Sequence, residues 1–138
     1  MLLYTNSKLE VRRSTVHGYG VFAKEDIKKG ELLEECHYIQ FKDKNGIDDN
    51  FLKYAFSWPK RDRHDLKGKY KYATIPLGYA CIYNSSSSSN DNNADWETDI
   101  KKNLFIFTAV KDIPANTEIL TYYGNAYWSK KNNNIKQK

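Results

Sequence analysis

Apolar and polar positions along this chain change places at short range, and the pattern is mostly that of strands. Lys8-Leu-Glu-Val-Arg-Arg-Ser14 alternates with period two, as a strand with one face on a core does. His17-Gly-Tyr-Gly20 follows, with two glycines flanking a tyrosine. Glycine permits positive φ and close backbone approach, so this is a tight turn against which a ligand can lie. It lacks the GxGxxG spacing and the following helix of a dinucleotide site. Val21-Phe-Ala reads as a strand, Asp26-Ile-Lys-Lys-Gly30 as a turn, and Glu31 to Phe41 as one longer strand over Leu32, Leu33, Cys36, Tyr38 and Ile39.

Lys42 to Asn50 is polar and loop-like. Asp48 and Asp49 can cap a short amphipathic helix, Phe51-Leu-Lys-Tyr-Ala-Phe56, which Trp58-Pro59 ends. Tyr72 to Leu77 is strand-like, and Gly78-Tyr-Ala-Cys-Ile-Tyr83 is a compact apolar segment leading to Asn84. Ser85 to Asn93 is a low-complexity polar loop without an apolar anchor, predicted to be mobile. Asp95 to Thr98 and Asn103 to Ala109 are further strands, and Asp112 to Glu118 turns into a tyrosine-rich strand, Glu118 to Trp128. One modest helix among many short strands, with no repeats, predicts a mostly-β fold of several small sheets. The expected organisation is a single domain over 1–138, its core at about 9–128 and a basic tail at 129–138.

Composition narrows the function classes. Apolar residues make up 40% of the chain and charged residues 28%, enough for a core and a solvated surface, and no run reaches the length of a membrane span. The start has neither the apolar segment nor the cleavage site of a signal peptide, so an intracellular protein of cytoplasm or nucleus is expected. Cys36 and Cys81 sit far apart in apolar runs and read as buried free thiols. With His17, His37 and His64 scattered, no zinc cluster forms at a usual spacing, so no metal is expected. The net charge of +5 gathers at Lys60 to Lys71 and in the tail. No helix-turn-helix, zinc or RNA-binding signature accompanies it, so nucleic acid is not the primary partner.

The chemistry concentrates at Glu118-Ile-Leu-Thr-Tyr-Tyr-Gly-Asn-Ala-Tyr-Trp128. Three phenols and an indole near one glycine exceed what packing asks for, because each buried O–H or N–H needs a partner. Such a cage suits a cationic or amine ligand, a lysine side chain or a sulfonium.

Three separated blocks then resemble one family. His17-Gly-Tyr-Gly-Val-Phe-Ala23 with Asp26-Ile-Lys-Lys-Gly-Glu31 resembles the opening of a SET domain, the lysine methyltransferase fold. Gly78-Tyr-Ala-Cys-Ile-Tyr-Asn84 resembles its second block, which usually ends in Asn-His and here ends in Asn84-Ser85. Val110 to Gly124 resembles its last block, which closes on Tyr-Gly. The nearest likeness is to the compact SET proteins of algal viruses, without pre- or post-domains. Tyr54-Ala-Phe-Ser57 and Ala126-Tyr-Trp128 resemble their helix and their closing aromatics.

The resemblance implies methyl transfer from S-adenosylmethionine to the ε-amine of a protein lysine, on a histone tail in the family's commonest case. It further implies a C-terminal pseudoknot that sets Asn84 beside Tyr123. Tyr123 would stand at the methyl-transfer point. Gly18, Tyr19, Gly20, Asn84, Ser85 and Trp128 would hold the cofactor, and Tyr19, Tyr54, Thr121 and Tyr127 would line the lysine channel. Thr121, smaller than the aromatic often found there, hints at room for more than one methyl. Glu34, Glu35, Asp48 and Asp49 are the candidate acidic groove for a basic peptide, and a homodimer is compatible with the sequence. Two other readings compete: a binding module that kept the fold and lost turnover, and a basic nucleic-acid-associated protein whose tyrosines are only core.

Overall fold

The computed structural model describes residues 2–41, 48–60 and 73–123. Strands β1 (Leu9–Arg13) and β2 (Tyr19–Ala23) form an antiparallel hairpin, registered Leu9↔Ala23 to Arg13↔Tyr19. Its turn is closed by the Ser14 N–H donating to the Gly18 carbonyl at 2.7 Å, with Gly18 at a φ of +48°. The sheet continues from β2 to β9 (Glu118–Thr121), antiparallel at Val21↔Ile119, and from β9 to β6 (Asn84–Ser85). The β6–β9 pairing is parallel, with Asn84 opposite Leu120 and Ser85 opposite Thr121. A second sheet has the order β3 (Leu32–Cys36), β8 (Leu104–Ala109), β7 (Ala94–Asp99). A ribbon of β4 (Tyr38–Phe41) and β5 (Ala73–Pro76) completes the described strands.

The sheets share one core. Val21, Leu33, Phe105, Phe107 and Ile119 are completely buried, as the alternation on their strands requires. Tyr83 stacks on Phe107 with centroids 5.0 Å apart, while Phe56 meets Trp96, Phe105 and Phe107 edge to face.

Two turns brace the start of β9. Asp26 Oδ1 accepts from the Ala115 N–H and Asp112 Oδ1 from the Lys29 N–H, each at 2.8 Å, while Ile27 and Ile113 exchange backbone bonds of 2.8 and 2.7 Å. The two Asp-Ile turns cap one another, a local correspondence that a search for repeats passes over.

Four expectations need correction. Glu31 to Phe41 is two strands, broken at His37: Cys36 pairs with Phe105, Tyr38 with Pro76, and the His37 carbonyl accepts from the Leu77 N–H. Continuous apolar character hides a strand that changes sheets. The helix is the single turn α1 (Asp49–Leu52), capped by Asp48, whose Oδ1 accepts from the Asn50 N–H. Phe56 instead bridges to Thr74, because burying its ring among Trp96 and Phe105 outweighs the propensity of a short helix. The serine run is not wholly a mobile loop: Ser85 lies in β6, and Ser86 is buried with its N–H on the Thr121 carbonyl at 2.7 Å. The tyrosine-rich strand ends at Thr121, so Tyr122 and Tyr123 have already left the sheet. Its continuation to Trp128 lies outside the described residues.

Candidate active site

The ends of β2, β6 and β9 converge at the glycine turn. Asn84 is buried at the start of β6, and its Nδ2 faces three oxygens: the His17 carbonyl at 3.0 Å, the Tyr19 carbonyl at 3.2 Å and Glu118 Oε2 at 2.7 Å. Three acceptors settle the orientation of the amide, since a flip would set oxygen against oxygen. Glu118 Oε1 accepts from the Ser14 hydroxyl at 2.6 Å. Ser14 Oγ in turn accepts from the Val16 N–H at 2.9 Å. A Cβ at Gly20 would collide with the Glu118 carboxyl and stand 3.0 Å from Asn84 Nδ2, so a side chain there would have to push Glu118 out of its bridge to Ser14 and Asn84. At Gly18 a Cβ would meet nothing within 4 Å, so the turn opens to free space on that side.

Tyr123 is fixed from both ends. Its hydroxyl donates to the Tyr83 carbonyl at 2.7 Å, and its N–H donates to Ser85 Oγ at 3.0 Å. Ser85 Oγ donates to the Ser86 carbonyl at 2.8 Å. Tyr123 is 41% exposed, so the residue stands at the surface of the site. Parallel pairing of β6 with β9 sets Asn84, Ser85, Thr121 and Tyr123 together. Ser85, which stands where the resembling block usually has histidine, ties the backbone of Tyr123.

Beneath Tyr123 lies a sealed polar layer. Glu34 is 1% exposed, and its Oε2 accepts from the Tyr79 N–H at 3.3 Å. Oε1 and the Tyr83 hydroxyl are both buried, and neither completes a hydrogen bond of good geometry. Burial pushes the Glu34 carboxyl above its usual range, against hydrogen bonding from Tyr83 and Tyr79. Burial, reinforced by the charge of Glu34, also raises the Cys36 thiol and the Tyr83 phenol. Cys81 is pushed up to about 11 by burial. Both cysteines are free thiols. Glu34 therefore cannot belong to a surface groove for a basic peptide. Glu35 is partly exposed and its Oε1 accepts from the Tyr4 N–H at 3.1 Å.

Of the channel residues, Thr121 is buried beside Ser85, whereas Tyr19 and Tyr54 are 59% and 50% exposed. The Arg13 guanidinium lies over the Tyr19 ring at 5.6 Å, and the Tyr54 carbonyl accepts from the Cys81 thiol at 3.7 Å. Among the described residues, the rings of Tyr19, Tyr54 and Tyr123 do not touch one another. Tyr127 and Trp128 lie outside the described residues. Ser14, Glu118 and Tyr83 were not singled out from the sequence as site residues. Glu118 stood inside the last block, and only three-dimensional proximity to Gly20 and Asn84 distinguishes it there.

Comparison with known proteins accords with this geometry. A solved Plasmodium falciparum candidate histone methyltransferase is 31% identical, matching 89% of this chain and 98% of its own with a TM-score of 0.68. CpSET8 from Cryptosporidium is 18% identical over 85% of this chain and 57% of its own, with a TM-score of 0.58. A humanised mutant of the Chaetomium thermophilum Polycomb Repressive Complex 2, bound to the inhibitor GSK126, is 22% identical over 88% of this chain and 15% of its own, again with a TM-score of 0.58. The last two speak for the fold alone. No curated protein matches the sequence. The SET-domain model matches residues 18–124, from the glycine turn through the segment that carries Tyr123, and the chain belongs to the SET-domain family.

Proposed function

We propose that this protein methylates the ε-amine of a lysine in a protein substrate, using S-adenosylmethionine. The observation that carries the reading is the convergence of a doubly anchored, half-exposed Tyr123 with Asn84 and the glycine turn. The residues suit the cofactor: Gly18 opens onto free space, the turn is exposed from Val16 to Tyr19, and the Asn84 amide is held against the His17 and Tyr19 carbonyls of that turn. When bound, S-adenosylmethionine supplies a methyl group on a sulfonium, which an amine displaces with its lone pair.

What the chain itself does is hold and orient. Because the Tyr123 hydroxyl donates to the Tyr83 carbonyl, its oxygen can only accept from whatever approaches, which suits an amine N–H. In-line displacement depends on alignment, and anchoring Tyr123 through both its hydroxyl and its N–H fixes that acceptor. The lysine must arrive neutral, at a cost of about 4–5 kcal/mol at neutral pH. An aromatic surround lowers the cost by disfavouring the ammonium. Gly18, Tyr19, Gly20, Asn84, Ser85 and Trp128 hold the cofactor in this reading, with Tyr19, Tyr54, Thr121 and Tyr127 around the lysine. A histone tail is the first substrate to try, given the 31% identical relative. The compact viral-type form rests on the sequence blocks.

The test is mass spectrometry of core histones and a lysate fraction incubated with S-adenosylmethionine and either wild type or Tyr123→Phe. Transfer to lysine by wild type, reduced about a hundredfold in the variant through lost alignment, is the expected result. No transfer with intact calorimetric cofactor binding would point to a binding module, and no binding at all would end the reading.

A further inference from the structure

Strand β3 breaks its own alternation to bury an acid. Leu33 and Glu34 are consecutive, yet they are 0% and 1% exposed. The register with β8 shifts between Leu32 and Glu34, a bulge that turns both side chains into the interior. Stability gives no reason for it. A carboxyl sealed from water costs free energy unless its oxygens are satisfied, and Glu34 Oε1 completes no hydrogen bond.

The carboxyl lies against the turn that leads to β6. Its Oε2 accepts from the Tyr79 N–H at 3.3 Å, at the start of the turn over 78–82. Gly78 enters that turn at a φ of +79°, and a Cβ there would stand 2.8 Å from Glu34 Oε2. Within the turn the Tyr79 carbonyl accepts from the Ile82 N–H at 2.8 Å and from the Tyr83 N–H at 3.3 Å. The Tyr83 ring then folds back over Phe107, the residue opposite Glu34 in the β3–β8 register, and its phenol faces the same carboxyl. Both ends of the turn therefore bear on Glu34. The carbonyl that the turn delivers is that of Tyr83, which accepts the Tyr123 hydroxyl at 2.7 Å.

We propose that Glu34 is a positioning residue for Tyr123: aimed inward by the bulge, it pins the turn that sets the Tyr83 carbonyl, and that carbonyl aims the Tyr123 hydroxyl. Glu34 is sealed in the core and acts on the site only through the turn. The inference rests on the functional reading above in taking Tyr123 as the acceptor that aligns the amine.

The experiment compares wild type, Glu34→Gln and Glu34→Leu. The first variant keeps an oxygen for the Tyr79 N–H, and the second removes it at similar volume. NMR of isotope-labelled tyrosine gives a signal for Tyr123, assigned by its loss in Tyr123→Phe. That signal should shift or broaden in Glu34→Leu and stay as in wild type in Glu34→Gln. With core histones as the methyl acceptor, kcat should fall about tenfold in Glu34→Leu with both KM values held within about twofold, and Glu34→Gln should recover it. In a Tyr123→Phe background Glu34→Leu should cost nothing further, because no hydroxyl is left to aim. An unmoved Tyr123 signal, an unchanged kcat, a loss carried by KM, or an equal loss in the Tyr123→Phe background would each overturn the proposal. Should Glu34→Leu fail to fold by circular dichroism, Glu34→Met is measured in its stead. Failure of both to fold would make Glu34 a structural brace and overturn the proposal as well. A wild type that transfers no methyl to histones or lysate ends the methyltransferase reading, while the Tyr123 signal still decides whether Glu34 aims that residue.

Discussion

Replacing Glu34 with glutamine should make the protein more stable at neutral pH and leave it nearly unchanged in acid. The folded state holds Glu34 with its carboxyl raised above the usual 4.5 by burial, whereas the unfolded chain returns it to that value. Its proton is therefore bound more tightly in the folded state. The resulting contribution to stability is complete below the unfolded value, declines as pH rises toward the folded value, and is level beyond it. The decline is about 1.4 kcal/mol per pH unit, so between about pH 5 and about pH 7 it amounts to at most about 2.7 kcal/mol. Glutamine does not titrate and can keep both contacts, its oxygen accepting from the Tyr79 N–H and its amide reaching the Tyr83 hydroxyl. Tyr83 and Cys36, both pushed up by burial, stay neutral throughout this range and do not blur the comparison. Urea unfolding of both proteins at several pH values measures the difference directly. A gap between wild type and Glu34→Gln that does not widen as pH rises would refute the reasoning.

Gly20→Ala should abolish cofactor binding and cost about 1–3 kcal/mol, because its Cβ collides with the Glu118 carboxyl; thermal unfolding and calorimetry read both effects. Both thiols should be nearly inert to an alkylating reagent at about pH 8 in the folded protein and react freely in denaturant. Cys81 is pushed up to about 11 and Cys36 lies deeper, so a fast-reacting native thiol would contradict their burial.

Much of the framework could be read from alternation alone. β1, β2, β5, β7 and β8 each fall within two residues of an expected strand, because each shows one face to a core or carries an apolar run too short for a helix. What could not be read were decisions made by distant partners. Nothing local marks His37 as the point where the chain leaves Phe105 for Pro76. Nor does a run of serines announce that its first two residues are buried against Thr121. The blocks resembling SET domains supplied Asn84, Tyr123 and the glycines. Tyr83 and Glu118 escaped, and Glu34 was placed on a surface groove it does not line, for a common reason. Each matters through a carbonyl, a phenol or a carboxyl aimed at a residue more than 30 positions away, and neither spacing nor composition records such aim.

The four residues of β9 explain why fold and site cannot be separated here. Ile119 and Thr121 point into the core, while Glu118 reaches the glycine turn. Tyr123 lies two residues past the strand's end. Strand alternation has a period of two, so a one-residue slip would expose Ile119 and carry Tyr123 away from Ser85 in the same movement. The parallel register with β6 and the mutual capping of Asp26 and Asp112 resist such a slip from opposite sides of the strand. Substitutions that loosen β9 packing, such as Ile119→Ala, should therefore lower stability and activity together. Glu118→Gln and Tyr123→Phe alter only what the strand presents, and should lower activity or affinity at nearly constant stability. If the two kinds of variant fell on one line of activity against stability, Glu118 and Tyr123 would be part of the scaffold and not of the chemistry.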